Sequence, residues 1–322
     1  MAAMQVTVYH PDQAPQVVQT PDWDVLLRQS AGVTWVDLHG PTQEGVRLLS
    51  EVFQFHPLAI EDATNQRQRP KIEEYDGYLF AIMNPVTFEH DEVQFTELDV
   101  FFSANYVVTV HAGDLPLLKK VEDRIVALAR MTPQATGFIV YALFDAVVDS
   151  YFPVLDRIGE EIDDIEEQIL NRPQQELLNR LFTLKRAISE LWRVAGQQRD
   201  MFSVFSRHSE IMSASETLGY YLRDVYDHLI RITDTINTFR DILTSYVDLY
   251  MSAVSNRLNL VVNRLTIITI GVGLLTVISG FYGMNFLRTW PPFESPLGVP
   301  FVLALMTLVI IGILLLLRRQ SH

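Results

Sequence analysis

The sequence predicts an α+β membrane protein with an N-terminal α/β domain, long helices after it and two C-terminal transmembrane helices. Strand-like and helix-like segments alternate over residues 1–135, and only helical patterns follow. Residues 265–286 and 297–317 carry no charged side chain. Each run is about as long as a helix that crosses a bilayer core of roughly 30 Å at about 1.5 Å per residue.

The N-terminal domain, residues 1–135, is predicted from short segments. Residues 5–9 and 33–38 are rich in β-branched and aromatic side chains, which predicts strands. Thr42 can cap a helix that runs to about residue 53, and residues 57–62 form a further helical turn. Strands are predicted at residues 78–88, 94–102 and 106–111, with a turn at 103–105, and a helix at 116–130 completes the domain.

Residues 136–257 are predicted to form long cytoplasmic helices. One pattern covers residues 137–170 and ends at the Asn-Arg-Pro break at 171–173, and a second covers 174–207. After a Ser-rich turn near residue 213, no proline interrupts residues 218–282, so one helix of roughly 65 residues and 100 Å is expected. A helix of that length needs partners, which parallel copies would supply.

The expected membrane segments are a first transmembrane helix at residues 258–286, an outer loop at 287–296, a second helix at 297–317 and a basic tail at 318–322. Arg257 and Arg264 precede the first span, and Arg318 and Arg319 follow the second. Positive residues mark the cytoplasmic side, so both termini are predicted to be cytoplasmic in a cell (inner) membrane. Arg288 in the outer loop is an exception, and residues 1–7 show no cleavable signal.

Charge is divided unevenly along the 322 residues. The formal net charge is −14, but residues 1–256 hold 38 acids and 20 bases, a net of −18. This balance argues against nucleic acid as a partner and favours cations. The absence of cysteine excludes thiolate metal sites. The sequence contains no P-loop and no His-Glu-x-x-His motif, so we expect neither an enzyme nor an organic cofactor.

A stripe of polar and small residues runs along the long helix. From Asp248, steps of four and three residues reach Ser252, Ser255, Asn259, Val262, Thr266, Thr269, Gly273, Thr276 and Gly280. We call residues 252–280 of this series the polar stripe. A period of 3.5 residues keeps one side of a helix facing a common axis. The stripe is therefore predicted to face water or other helices, although small and hydroxyl residues also serve close helix packing.

The tetrapeptide Tyr-Gly-Met-Asn at residues 282–285 ends the first span and resembles the signature of the CorA family of magnesium and cobalt transporters. Residues 60–62, 68–71, 221–228 and 255–256 are also similar to that family, so the resemblance covers essentially the whole chain. It implies a homopentamer in the bilayer, with a funnel-shaped cytoplasmic domain of long coiled helices and a pore lined by the long helix. The implied function is Mg²⁺ and Co²⁺ influx down the membrane potential, gated by intracellular Mg²⁺.

The resemblance also implies the pore residues. Gly283, Met284 and Asn285 would form the selectivity filter, where a ring of carboxamide oxygens accepts hydrogen bonds from the waters of a hydrated divalent cation. Asn285 equally suits a helix C-cap. The expected pore-lining residues are Asn259, Val262, Leu265, Thr269, Gly273 and Thr276. Val262 and Leu265 form either a dry constriction or ordinary packing, and Gly273 and Val262 replace bulkier methionines of some relatives.

Regulation is expected in the acidic part. By resemblance, Asp62 and Asp248 approach across a subunit boundary, with Glu61 nearby, and share a regulatory Mg²⁺, while Asp145 and Asp224 match a second metal position. Two facing carboxylates repel unless a cation lies between them, so low internal Mg²⁺ would loosen the pentamer and open the pore. The alternative for each residue is an ordinary solvated or salt-bridged carboxylate.

Two other functions remain open from the sequence. One is a Zn²⁺ transporter of the same fold, with or without proton coupling; such relatives generally vary the Gly-Met-Asn residues. The other is a membrane-anchored metal-dependent enzyme or sensor that uses the carboxylates, which would leave the polar stripe unexplained.

Overall fold

The computed structural model describes residues 4–10, 13–28, 32–40, 42–89, 92–128, 135–171, 174–208, 216–284 and 297–319. The chain divides into two compact units. The first comprises residues 1–168 and 175–246, and the second comprises residues 169–174 and 247–322.

The first unit contains a seven-stranded mixed sheet and a separate two-stranded hairpin. The sheet order is β2-β1-β3-β9-β8-β5-β4, and β6 pairs with β7. β3 and β9 run parallel in the register Asp37 to Thr109, whereas the other pairs in the described sheet are antiparallel. The strands are β1 Met4–Tyr9, β2 Gln16–Val17, β3 Val33–His39, β4 Lys71–Tyr75, β5 Tyr78–Met83, β6 Val86–Glu89, β7 Glu92–Phe95, β8 Leu98–Phe102 and β9 Tyr106–His111.

Nine helices are described. They are α1 Trp23–Arg28, α2 Gln43–Arg47, α3 Pro57–Asn65, α4 Pro116–Leu128, α5 Ala135–Asp149, α6 Tyr151–Asn171, α7 Gln175–His208, α8 Glu216–Gly283 and α9 Gly298–Arg319. A π-helical turn, Leu48–Val52, follows α2. The predicted Thr42 cap is confirmed, because its side chain accepts a hydrogen bond from the Gly45 amide.

One hydrophobic core lies between the sheet and the segment from α2 to α3. The central strands β5, β8 and β9 are almost wholly buried, which matches their apolar sequences. Phe55 stacks on Phe101 at 4.3 Å and contacts Tyr78 at 4.6 Å between ring centroids. This aromatic packing fixes α3, and with it Glu61 and Asp62, against the sheet.

Two predicted strands are each divided in the structure. The strand predicted at residues 78–88 breaks after Met83, because the Asn84 amide bonds the Gln198 side chain and Pro85 has no amide hydrogen. The strand predicted at 94–102 breaks at residues 96–97. The prediction also missed β2, β4 and α1, which are short and lack a clear apolar pattern.

The helix predicted at residues 137–170 is also two helices, α5 and α6. They separate at Ser150, whose hydroxyl donates to the Val147 carbonyl and accepts from the Val86 amide. The segment of residues 136–169 contains a stretch that is apolar and long enough to span a membrane, but 72% of that stretch is buried inside the protein. This stretch therefore belongs to the protein interior.

Among the described residues, two further segments are long and apolar enough to cross a membrane, and they lie on α8 and α9 in the second unit. Only 6% and 0% of their most apolar stretches are buried within the chain. The single helix predicted at 218–282 is confirmed, since α8 runs unbroken for 68 residues. α8 and α9 pack closely at Gly271, where an added Cβ would collide with the Ile313 side chain.

Candidate functional site

The membrane part of α8 has one partly covered side. Between Leu258 and Met284, every residue is exposed in the single chain except five that recur at steps of three and four. Gly271 is the most buried of them and contacts Ile313 of α9. The five residues are Ile267, Gly271, Leu275, Ile278 and Tyr282. We call them the covered side of α8.

The polar stripe lies opposite the covered side. At about 100° per residue, Val262, Thr269 and Gly280 point in nearly one direction, and Gly271 points about 180° away. The stripe residues from Ser252 to Gly280 are exposed. α9 of the same chain therefore does not cover the stripe.

The threonine hydroxyls of the polar stripe all make the same kind of hydrogen bond. The hydroxyls of Thr266, Thr269 and Thr276 each donate to the backbone carbonyl four residues earlier, at 2.8 to 2.9 Å. A hydroxyl has one hydrogen to donate, so the oxygen that remains on the outer side can only accept. Groups that only accept hydrogen bonds suit the water shell of a cation, whose hydrogens point outward.

The six residues that were predicted to line the pore belong to the described part of α8. Asn259, Val262, Leu265, Thr269, Gly273 and Thr276 are on the exposed stripe or beside it on α8. Gly283 ends α8, and the Met284 amide bonds the Phe281 carbonyl. Asn285 and the loop at residues 286–296 lie outside the described residues.

A second cluster of polar side chains forms in the first unit. Asp145 of α5 meets Asp224 and His228 of α8, with ligand atoms within 4.8 Å of one another. His228 Nδ1 lies 3.9 Å from Asp145 Oδ1 and 3.8 Å from Asp149 Oδ1, and Nε2 lies 3.9 Å from Asp224 Oδ1. We call Asp145, Asp149, Asp224 and His228 the acidic cluster.

The acidic cluster could hold a divalent ion. Asp145 and Asp224 offer carboxylate oxygens, and His228 Nδ1 is buried with no hydrogen-bond partner among the described residues. Burial and the neighbouring Asp145 carboxylate raise the pKa of Asp149. The sequence predicted Asp145 and Asp224 but missed His228; its spacing of four residues from Asp224 on one helix was the available signal.

Asp62 already has a cationic partner in the single chain. Its Oδ2 accepts from Lys71 Nζ at 2.7 Å, and the same ammonium lies 2.9 Å from Glu73 Oε1. These carboxylates raise the pKa of Lys71 although burial opposes the shift. Glu61 is exposed on α3, and Asp248 is exposed on the part of α8 that belongs to the second unit.

These features define a class of protein: an α+β membrane protein whose soluble part carries carboxylate clusters and whose membrane helix exposes a polar side. The family model for CorA-like Mg²⁺ transporter proteins matches residues 30–319. The chain therefore belongs to the CorA family, and its function is the transport of divalent cations across a membrane.

Relatives agree along most of the chain. The cobalt/magnesium transport protein CorA of Thermotoga maritima is 34% identical over 299 residues, which cover 92% of this chain and 85% of the relative. The CorA protein of Methanocaldococcus jannaschii is 22% identical over 303 residues, with 94% and 95% of the two chains covered.

Solved structures share the fold. The complete structure of the Methanocaldococcus jannaschii CorA magnesium transporter matches with a TM-score of 0.82 at 20% identity over 99% of this chain and 98% of that one. The ZntB cytoplasmic domain of Vibrio parahaemolyticus matches with a TM-score of 0.56 at 11% identity over 79% and 98%. The soluble domain, the long helices and the apolar C-terminal helices thus follow the full-length CorA arrangement.

Proposed function

We propose that several copies of this chain, five by resemblance to the family, form a channel for hydrated Mg²⁺ and Co²⁺ around a central axis. The observation that carries the proposal is the position of the polar stripe, which lies opposite the side of α8 that contacts α9. Parallel copies of α8 would then turn their stripes inward, while α9 lies on the lipid side. The soluble helices would form a funnel around the cytoplasmic entrance.

The stripe gives such a pore a chemistry suited to hydrated cations. Mg²⁺ gives up its waters reluctantly, so it is recognised more easily with its water shell than without it. Rings of Asn259, Thr269 and Thr276 would accept hydrogen bonds from that shell, and no fixed negative charge would trap the ion. Val262 and Leu265 lie between these rings and would close the path by dewetting when the copies approach.

Gly283, Met284 and Asn285 would form the filter at the outer end. The carboxamide oxygen of Asn285 accepts hydrogen bonds without a full charge, and Gly283 lets the backbone come close to the axis. The helix limits proposed for the membrane are residues 258–286 and 297–317, with both termini in the cytoplasm of an inner membrane. A divalent ion that enters the cell gains about 4.6 kcal/mol per 100 mV, so influx needs no nucleotide.

We further propose that intracellular Mg²⁺ holds the channel shut through acidic sites. Asp62 and Asp248 of neighbouring copies, with Glu61, would share one ion, and Asp145, Asp224 and His228 would hold another. Loss of these ions would leave carboxylates facing one another and shift the population toward loosened, open assemblies. At the first site the ion would have to displace Lys71 from Asp62.

The experiment is Mg²⁺ uptake into liposomes that contain the purified protein or the Asn285→Ala variant. The parent should take up Mg²⁺ in response to an inside-negative potential. The variant should lose most of that uptake, because the ring of carboxamides is gone. Equal uptake by both proteins would reject the filter, and no uptake by the parent would reject the channel.

The same liposomes distinguish a Mg²⁺ channel from a Zn²⁺ transporter of the same fold. Uptake of Zn²⁺ that exceeds Mg²⁺ uptake and depends on a pH gradient would favour a zinc transporter. The fold shared with the ZntB domain and the imidazole of His228 are the observations that keep this alternative in view.

A further inference from the structure

Arg124 holds the most deeply buried carboxylate of the acidic cluster. From α4, its Nη1 pairs with Asp145 Oδ2, and its Nη2 donates to the Tyr141 hydroxyl at 3.0 Å. The guanidinium carbon also lies 5.2 Å from the centre of the Tyr141 ring. Asp145 is 4% exposed. Three contacts therefore fix one positive charge on a carboxylate that is also a candidate metal ligand.

Without Arg124, the acidic cluster has three carboxylates and only one imidazole to oppose them. Asp145, Asp149 and Asp224 bring three carboxylates near His228, and Arg124 pairs with Asp145. Removing one partner of a buried ion pair leaves an uncompensated charge, which is strongly destabilising.

We propose that Arg124 is a tethered counter-cation that stabilises the metal-free acidic cluster and lowers its affinity for a divalent ion. The inference rests on the metal-sensing part of the proposed function. A guanidinium fixed on Asp145 repels an incoming cation and occupies one of the oxygens that could bind it. Arg124 would thus set the metal concentration at which the cluster fills, without being a ligand.

The proposal predicts two opposite effects of Arg124→Gln. The melting temperature of the metal-free protein falls, because Asp145 remains buried without its counter-charge. The affinity of the cluster for Co²⁺ rises by about ten-fold, because the repulsion of a unit charge close to the ion is gone. If Arg124 only joined α4 to α5, its loss would lower stability without raising affinity.

Co²⁺ is the probe, because it binds both imidazole and carboxylate ligands and absorbs visible light. The full-length protein in detergent is titrated with Co²⁺, and the signal of the cluster is the part of the absorption that His228→Ala removes. Arg180→Gln is the matched control, since Arg180 pairs with Asp164 at 3.0 Å on an exposed surface. Arg124→Lys keeps the charge and should stay within about two-fold of the parent affinity.

The expected result is about ten-fold tighter Co²⁺ binding and a larger Co²⁺-induced rise in melting temperature for Arg124→Gln than for the parent. Unchanged or weaker binding by folded Arg124→Gln overturns the proposal, as does a parent protein without His228-dependent absorption. If Arg124→Gln does not fold, Tyr141→Phe removes only the hydrogen bond to the guanidinium. It should raise affinity about two-fold, and an unchanged affinity overturns the proposal.

Mg²⁺ uptake by the parent protein in liposomes tests the transport function separately. Its failure contradicts the channel, whereas the Co²⁺ titration tests Arg124 alone.

Discussion

At the scale of single residues, Asp99 and Glu97 are two buried acids in and next to β8. Asp99 of β8 is fully buried opposite Ile82 and Val110, and neither carboxyl oxygen has a hydrogen-bond partner among the described residues. Burial raises its pKa well above the usual value, and nearby Glu97 and Asp62 add to the shift. An unpaired charge at this position would be costly, so burial favours the protonated form of Asp99.

Glu97 gives a pH dependence that can be measured. It is 6% exposed, and burial raises its pKa from 4.5 to about 7, although the Gln68 amide donates to Oε2 at 2.6 Å. The folded state keeps a proton that the unfolded chain releases, so stability is lost as pH rises from 4.5 to about 7. The free energy of unfolding of Glu97→Gln should equal that of the parent near pH 4.5. At pH 8 it should exceed the parent value by up to about 3 kcal/mol.

Urea unfolding of the protein in detergent at pH 5 and pH 8 measures this difference. Glu92→Gln, at an exposed position of β7, is the control and should shift neither value. If the free energies of unfolding of the parent and of Glu97→Gln changed in parallel with pH, Glu97 would not be held protonated in the folded state.

Only some of the residues of the acidic cluster were predictable from the sequence. Sequence reasoning identified Asp145 and Asp224 but not His228 or Arg124, because the four come from α4, α5 and α8 and meet only in the folded unit. It also read Asp62 as a metal ligand without its partner Lys71, which lies on β4, a strand the sequence did not predict. The shared use of Asp62 by Mg²⁺ stays a prediction.

At the scale of elements, α8 combines two faces on one helix. Its covered side accepts α9 through Gly271, and its polar stripe stays exposed. The helix was predictable because no proline interrupts it, and its stripe was readable because helical spacing is regular. The strand at residues 78–88 was predicted wrongly, although Pro85 was the visible signal for its break.

Gly271 and Gly273 of α8 lie on different sides of the helix, so substitution by valine should have different effects at the two positions. Gly271→Val should lower the melting temperature, at a cost of about 1 to 3 kcal/mol, because an added Cβ collides with Ile313. Gly273→Val should leave the fold intact, since a Cβ there meets nothing within 4 Å of the chain, and should reduce Mg²⁺ flux by narrowing the pore. Thermal unfolding and liposome uptake of both variants separate the two effects. The assignment of faces would be wrong if Gly273→Val unfolded the protein and Gly271→Val did not.

At the scale of the whole molecule, the acidic soluble part and the uncharged membrane part have separate tasks. A net charge of −18 over residues 1–256 attracts cations to this soluble part, where the regulatory sites are proposed. The assembly itself was not predictable from composition or spacing. Only the family resemblance indicates five copies, because a 3.5-residue stripe fits several ring sizes.

The proposed inhibition by intracellular Mg²⁺ predicts that Asp248→Ala changes the response of uptake to internal Mg²⁺. Without this carboxylate the shared Mg²⁺ loses a ligand, so internal Mg²⁺ should inhibit uptake only weakly or not at all. Uptake into liposomes loaded with increasing internal Mg²⁺ measures the inhibition. Asp241→Ala, an exposed acid on the same helix, is the control. Inhibition of Asp248→Ala at the same internal Mg²⁺ as the parent would contradict the shared site.

The accessibility of single cysteines along α8 decides whether the polar stripe lines a water-filled path. Labelling has no background, because the chain has no cysteine of its own. In liposomes, Thr269→Cys and Thr276→Cys on the polar stripe are compared with Leu275→Cys on the covered side, using a charged, water-soluble thiol reagent and Mg²⁺ uptake as readout. We predict that the two stripe cysteines react and that their modification blocks uptake, while Leu275→Cys does not react. Reaction at Leu275→Cys with protection of both stripe positions would contradict a water-filled path lined by the stripe.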